Sequence, residues 1–159
     1  MSTQERPTGA GLVTDVAHLA DHVGAELGPT AWQEMTQERV NRFADVTEDH
    51  NPIHVDPEFA KNTPFGGTIA HGFLTLSMLA PISQELLNVT GATASINYGT
   101  DKVRFPAPLP VGARFRGSGV LNEVSEVKGG VQAKATFTIE VEGSPKPALV
   151  AECLFRFFT

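Results

Sequence analysis

A single cysteine, Cys153, stands in a chain of 159 residues, so no disulfide can form within it. Lysine and arginine total 12 against 18 aspartates and glutamates, a net charge of −6, and the basic residues form no cluster. The broad basic footprint that grips nucleic-acid phosphates is missing. Long apolar runs are missing as well. The most apolar stretch, Ile69 to Leu87, is interrupted by His71, Ser77, Pro81, Ser83, Gln84 and Glu85, well short of the ~20 apolar residues a helical span requires. Met1 to Ala10 is polar, with no basic start followed by an apolar segment, so no secretory signal is expected. Together these absences predict a cytoplasmic protein that binds neither nucleic acid nor membrane.

What is present is enough for a folded core. Hydrophobic residues make up 41% of the chain, too many for a disordered segment. With no internal repeat and no long linker, one domain over residues 12–159 is expected, preceded by a mobile terminus over residues 1–11. Val13, Val16, Ala17, Leu19, Ala20, Val23 and Leu27 are spaced as on an amphipathic helix, stopped by Gly28-Pro29. Trp32 to Met35 suggests a short strand. Thr36 suits the N-cap of a helix that buries Val40, Phe43 and Ala44 and ends near Thr47. Asp56-Pro57 opens another short helix, followed by a loop over Thr63 to Gly67.

From about His71 to Leu87 the apolar residues occupy nearly all sides of a helix, which predicts burial on most of its surface, with Pro81 kinking or closing it. The period then changes to two. Val131, Ala133, Ala135, Phe137, Ile139 and Val141 alternate with polar neighbours, and Leu149, Ala151, Cys153, Phe155 and Phe157 form a second such face. Ser95 to Phe105 and Arg114 to Val124 read as further strands, joined across a Pro106–Gly112 turn region. Helices first, one very apolar helix, then long strands make an α+β plan. A curved antiparallel sheet wrapped around a central helix, the hot dog fold, accounts for that helix being apolar all round.

The densest polar cluster is Asp49-His50-Asn51-Pro52-Ile53-His54. Pro52 fixes its own backbone angle and biases Asn51 toward extended geometry. Such a bend can hold Asp49 and His54 on one side despite their i, i+5 spacing. A carboxylate and an imidazole around one water make an acid–base device. Equally, an Asp-rich turn before a helix is a common capping structure. Metal binding by Asp49, His50 and His54 is disfavoured, because Pro52 between the histidines breaks the regular helix such a spacing needs. At Ala70-His71-Gly72-Phe73 the apolar helix begins. Its first N–H groups lack partners and sit at the positive end of the dipole, and Gly72 lets a ligand oxygen approach one of them. Alternatively, Gly72 serves close packing and His71 is a satisfied, half-buried side chain.

Phe43-x5-Asp49-x-Asn51-Pro52-Ile53-His54-x5-Ala60 resembles the hydratase signature of MaoC-like (R)-specific enoyl-CoA hydratases. Thr68-Ile69-Ala70-His71-Gly72-Phe73 is similar to that family's segment at the start of the hot dog helix. Ile96 to Gly99 and Lys102 to Pro108 resemble the nodulation-protein-N-like branch. The likeness runs from about Trp32 to the C-terminus. It implies Asp49 and His54 as the catalytic pair, with Asp49 the base toward water and His54 the proton donor to C2, and the Gly72 N–H as oxyanion donor.

It also implies a trans-2-enoyl-CoA substrate, a (3R)-3-hydroxyacyl-CoA product, no metal or redox cofactor (CoA being part of the substrate), and a homodimer. Asn51, Asn97, Tyr98, Lys102 and Arg104 are candidate substrate contacts, with Asn97 and Tyr98 lining the tunnel and the two cations meeting CoA phosphates. One position departs: the family core usually has glycine before the aspartate, and here it is Glu48. Asn51 agrees with the hydratase core, where the nodulation-type branch often differs. A non-catalytic acyl-thioester-binding or partner subunit remains an alternative, as does a hot dog thioesterase. The latter normally places a carboxylate on the central helix, and Ile69 to Ala80 has none.

Overall fold

The computed structural model describes residues 11–159; apart from Gly11, the terminus expected to be mobile lies outside them. Gly11 itself is packed against the chain, with no room for a Cβ beside the Glu85 carbonyl. The second half folds as its alternation dictates. Strands β5 (Ala94–Arg104), β6 (Arg114–Val127), β7 (Gly130–Val141) and β8 (Leu149–Phe158) are long. With β2 (Glu26–Leu27) they form an antiparallel sheet in the order β2-β6-β7-β8-β5, and β3 (Gln33–Glu34) also pairs with β6. In β7, Ala133, Ala135, Phe137, Ile139 and Val141 are buried and the residues between them are not. The sheet therefore has one core face.

That face is covered by α4 (Gly72–Ser77) and α5 (Leu79–Leu86), which together form the central helix. The break at Met78 lies just before Pro81, whose missing N–H leaves the Ser77 carbonyl without its helical donor. Leu74, Leu79, Ile82 and Leu86 are buried against the sheet, on a core that includes the fully buried Phe115 and Phe137. Contact with β6 is close because position 117 is glycine: a Cβ there would lie 2.5 Å from Ile82. The arrangement is the α+β hot dog plan, a curved antiparallel sheet with a central helix.

Three expectations are revised. Leu12 to Leu27 is not a helix but β1 (Leu12–Asp15), a 3-10 turn at Leu19–His22, and β2. The Asp15 carboxylate accepts from the His18 N–H at 2.9 Å, and this local alternative competes with helix formation. β1 instead pairs in parallel with β4 (Leu87–Thr90), the strand that follows the central helix. Second, Pro106–Gly112 does more than turn the chain: it joins β5 to β6, which are not neighbours in the sheet. The segment crosses beneath the helix start and bonds to Thr68–Ala70, Ala70 N–H donating to Leu109 O and Val111 N–H to Thr68 O. Third, the central helix is not buried all round: Phe73 is 73% exposed, and Ser77 and Pro81 also face outward.

The remaining elements are α1 (Gln37–Thr47), α2 (Pro52–Val55) and α3 (Pro57–Ala60). Thr36 caps α1 through its hydroxyl and Asp56 caps α3 through its carboxylate, as the sequence predicts. Gly117→Val would drive a branched side chain into Ile82, and a loss of about 1–3 kcal/mol is expected. Urea denaturation measures it; an unchanged midpoint would show that the helix does not rest on β6 as described.

Candidate active site

The site is assembled from three loops that meet at the N-terminus of α4. The first is the bend between α1 and α2. At its start Glu48 adopts φ 62°, in the left-handed region. A glycine enters that region freely, whereas a side chain is strained there by about 1 kcal/mol. The departure noted at this position is thus a matter of backbone geometry. The Glu48 side chain itself is exposed. Asp49 Oδ1 accepts from the Asn51 N–H, and the Asn51 side-chain oxygen caps α2 by accepting from Ile53 N–H, each at 3.3 Å. Asn51, a candidate substrate contact, thus works as a cap. His50 turns away to pair with Asp45 at 2.9 Å on the exposed side.

Pro52 begins α2, and the helix delivers His54 inward, where it is only 8% exposed. Its Nδ1 donates to the Ile69 carbonyl at 2.7 Å. A carbonyl oxygen only accepts, so Nδ1 carries the hydrogen and Nε2 of the neutral ring keeps its lone pair. Burial pushes the His54 pKa below the ordinary imidazole value. The Ile69 hydrogen bond counts the other way, nearby His71 lowers it further, and Asp49 raises it. The net direction favours neutral imidazole, a base with its free lone pair on Nε2.

His71, for which a satisfied, half-buried side chain was one alternative from the sequence, is 2% exposed and lies against His54. Its ring stacks on that of His54 with centroids 3.9 Å apart, and Phe43 covers it at 4.9 Å. His71 Nε2 donates to the backbone carbonyl of Asp49 at 3.0 Å. One carboxylate oxygen of Asp49 and one nitrogen from each of these histidines lie within 4.8 Å of one another, a span that one water can bridge. The same three residues have the donor chemistry of a metal site. However, a metal lies in the plane of each ligating imidazole, and two rings stacked nearly parallel do not aim at one ion.

The α2 turn is clamped from α1. Gln37 Nε2 donates to the His54 carbonyl at 2.8 Å, and Gln37 Oε1 accepts from the Thr68 hydroxyl at 2.6 Å. Gln37 was not singled out from sequence, and Thr68 only as the first residue of the Thr68–Phe73 segment, because only the folded chain reveals that they meet across the site.

Gly72 opens α4 without a side-chain cap, which leaves its N–H in the unpaired first turn. A Cβ here would rest 3.4 Å from the Phe105 ring, so the glycine keeps a gap open instead of meeting a conformational demand. Beside it lies a pocket of about 300 Å³ whose walls include Phe65, Ile69, Thr75, Phe105 and Leu109. Of the other candidates, Asn97 is exposed and lines the mouth of a cavity of about 280 Å³ between α5 and the sheet. Tyr98 does not line it: its ring lies under the Arg156 guanidinium at 3.4 Å, and Arg156 pairs in register with outward-facing positions. Lys102 and Arg104 are exposed on β5, in register with Glu152 and Val150.

Comparisons with known proteins agree in direction. A family profile described as "MaoC like domain" matches residues 18–142. The 3-hydroxyacyl-thioester dehydratase Z of Mycobacterium tuberculosis is 52% identical over 143 residues, covering 89% of this chain and 95% of that one. Nodulation protein N of Rhizobium leguminosarum bv. viciae is 42% identical over 140 residues, covering 86% of each. Among solved structures, an (R)-hydratase from A. caviae involved in PHA biosynthesis superposes with a TM-score of 0.71 at 28% identity, over 85% of this chain and 96% of that one. Among the described residues, no helix is long and apolar enough to cross a membrane.

Glu48→Gly is expected to stabilise the protein by up to about 1 kcal/mol by relieving the left-handed strain. It should leave the Asp49 and His54 geometry intact. Thermal denaturation of the variant checks this, and a lower midpoint would mean the Glu48 side chain makes a stabilising contact of its own.

Proposed function

The chain belongs to the MaoC-like domain family, as a hydratase/dehydratase, and from that premise we propose that it acts on acyl thioesters, interconverting trans-2-enoyl-CoA and (3R)-3-hydroxyacyl-CoA. The observation that carries this reading is the convergence of the Asp49 carboxylate and the His54 imidazole beside the free N–H of Gly72. In the hydration direction the thioester oxygen accepts a hydrogen bond from the Gly72 N–H. The acyl chain enters the apolar pocket bounded by Phe65, Phe105 and Leu109. One water is held between the Asp49 carboxylate and His54 Nε2.

The sequence alone suggested Asp49 as base and His54 as donor. The fixed tautomer and lowered pKa of His54 support a different division. Neutral His54 takes a proton from the water as its oxygen bonds to C3. The C2=C3 electrons shift to C2 and the thioester, whose developing oxyanion is stabilised at Gly72. Asp49 orients the water and stabilises the imidazolium. The imidazolium then returns its proton to C2 on the same face, and the ring is neutral again. General acid–base and electrostatic effects suffice for this addition, so no metal enters the scheme, and a chelator is expected to leave the rate unchanged.

The exposed edge supports a second copy of this chain as partner. β5 is eleven residues long and exposed along nearly all of its length, with Ile96 and Tyr98 at 44% and 51%. A long unprotected edge invites pairing. Two copies joined edge to edge through β5 would cover it and bring the exposed Phe73 side of the central helix toward the partner. Lys102 and Arg104 would then lie at the subunit boundary, available to CoA phosphates. Sedimentation at micromolar concentration is expected to give a dimer; a monomer would contradict this assembly.

For activity, loss of enoyl-thioester absorbance with short and longer trans-2-enoyl-CoAs is the direct assay. Asp49→Asn and His54→Gln should each lower kcat by roughly 10²–10⁴-fold. Because burial lowers the His54 pKa, the base form persists below the ordinary imidazole range. Hydration should therefore hold level at neutral pH and decline only as pH falls through that lowered value. Full activity in both variants would end the assignment. Release of free CoA thiol would point to a thioesterase, and tight binding without turnover to a non-catalytic subunit.

A further inference from the structure

His71 is a costly residue to place where packing is all that is needed. It is buried, and its Nδ1 has no hydrogen-bond partner. A leucine or phenylalanine would fill the same volume without an orphaned polar atom. Yet this side chain meets both the His54 ring and the Asp49 backbone. Its ring stacks on that of His54 at 3.9 Å, and Phe43 packs against it, tilted, at 4.9 Å. Its Nε2–H holds the backbone carbonyl of Asp49 at 3.0 Å. Its own carbonyl accepts from the Thr75 N–H at 3.0 Å and from the Thr75 hydroxyl at 3.2 Å, which anchors it to α4. It also immediately precedes Gly72, the residue with the free N–H.

We propose that His71 is the positioning residue of the site: one imidazole ties the Asp49 turn and the His54 ring to the helix start that presents Gly72. In the proposed scheme it acts through Asp49 and His54 and not on the substrate itself. The hydrogen-bond pattern fixes its tautomer. Nε2 faces a carbonyl that only accepts, and a hydrogen on Nδ1 would be a buried donor without an acceptor, so Nε2–H is the form present. The two stacked rings therefore carry their hydrogens on opposite nitrogens, His54 on Nδ1 and His71 on Nε2. The ionisable groups acting on the charge of His54 are His71, which opposes it, and Asp49, which favours it. That opposition arises only where the His71 ring is itself protonated, and removing the imidazole takes it away.

The kinetic arm of the test rests on the hydratase reading, and the spectroscopic arm does not. Nitrogen-15 correlation spectra of the wild-type protein should show His71 as the Nε2–H tautomer and His54 as the Nδ1–H tautomer; the opposite tautomer at His71 would overturn the proposal. His71→Phe keeps a stacked ring and loses the donor, whereas His71→Gln keeps a donor amide and loses the ring. In the phenylalanine variant the His54 titration should move up toward the ordinary imidazole range. Its kcat should fall roughly 10-fold or more while KM for the enoyl-CoA stays within about twofold, and the glutamine variant should recover part of kcat. An unmoved His54 titration in a folded variant would reduce His71 to packing, as would kcat losses that merely follow the folded fraction in both variants. Wild-type protein that hydrates nothing would defeat the hydratase reading, and the tautomers and titration would still decide the role of His71.

Discussion

The site depends on a two-way tie between Ile69 and the turn that carries His54. Ile69 N–H donates to the Ile53 carbonyl at 3.1 Å, and the Ile69 carbonyl accepts from His54 Nδ1 at 2.7 Å. The first bond sets the distance between the two loops. The second decides which nitrogen of the imidazole carries hydrogen, and hence which one keeps its lone pair. Ile69 can make both bonds because its neighbours are paired with the Pro106–Gly112 crossing, including a bridge from Ile69 itself to Pro110. A connection between two strands thus becomes part of the candidate site's framework.

Around that tie most polar groups are paired, His71 Nδ1 being the exception. Gln37 holds the His54 carbonyl and the Thr68 hydroxyl together, and Asp49 and Asn51 are held by short-range bonds within their own turn. Such networks in a low-dielectric interior fix one geometry, since any member left unpaired is costly. The strain lies at Glu48, where the chain leaves α1 in a left-handed conformation to aim Asp49 at the imidazole. Strained backbone persists where surrounding contacts over-determine it, and the His71 bond to the Asp49 carbonyl is one such contact.

The strands were legible because period-two burial is a local property: β7 alternates inside and outside along most of its length, as its residues dictate. Asp49 and His54 were legible because a proline-stiffened turn announces itself within six residues. Leu12 to Leu27 misled because its spacing satisfies a helix, while its folded state is decided by distant pairing with β4 and β6 and by the Asp15 side chain. The exposed side of the central helix was not legible either, since apolar residues there read alike whether they meet the same chain or another. His71 lies more than fifteen residues from both members of the pair, and only the folded chain brings it beneath them. A buried histidine next to a glycine at a helix start was the one signal available, and it has a simpler explanation until the stacking is seen.

The central claim is that Asp49 and His54 act on one water beside the reacting carbon. A crystal structure with a bound, unreactive 2-enoyl-CoA analogue tests it most directly. The account predicts one ordered water within hydrogen-bond distance of both the Asp49 carboxylate and His54 Nε2, facing C3, with the thioester oxygen on the Gly72 N–H. An acyl chain seated away from α4, or hydrocarbon packed between the carboxylate and the imidazole, would contradict it.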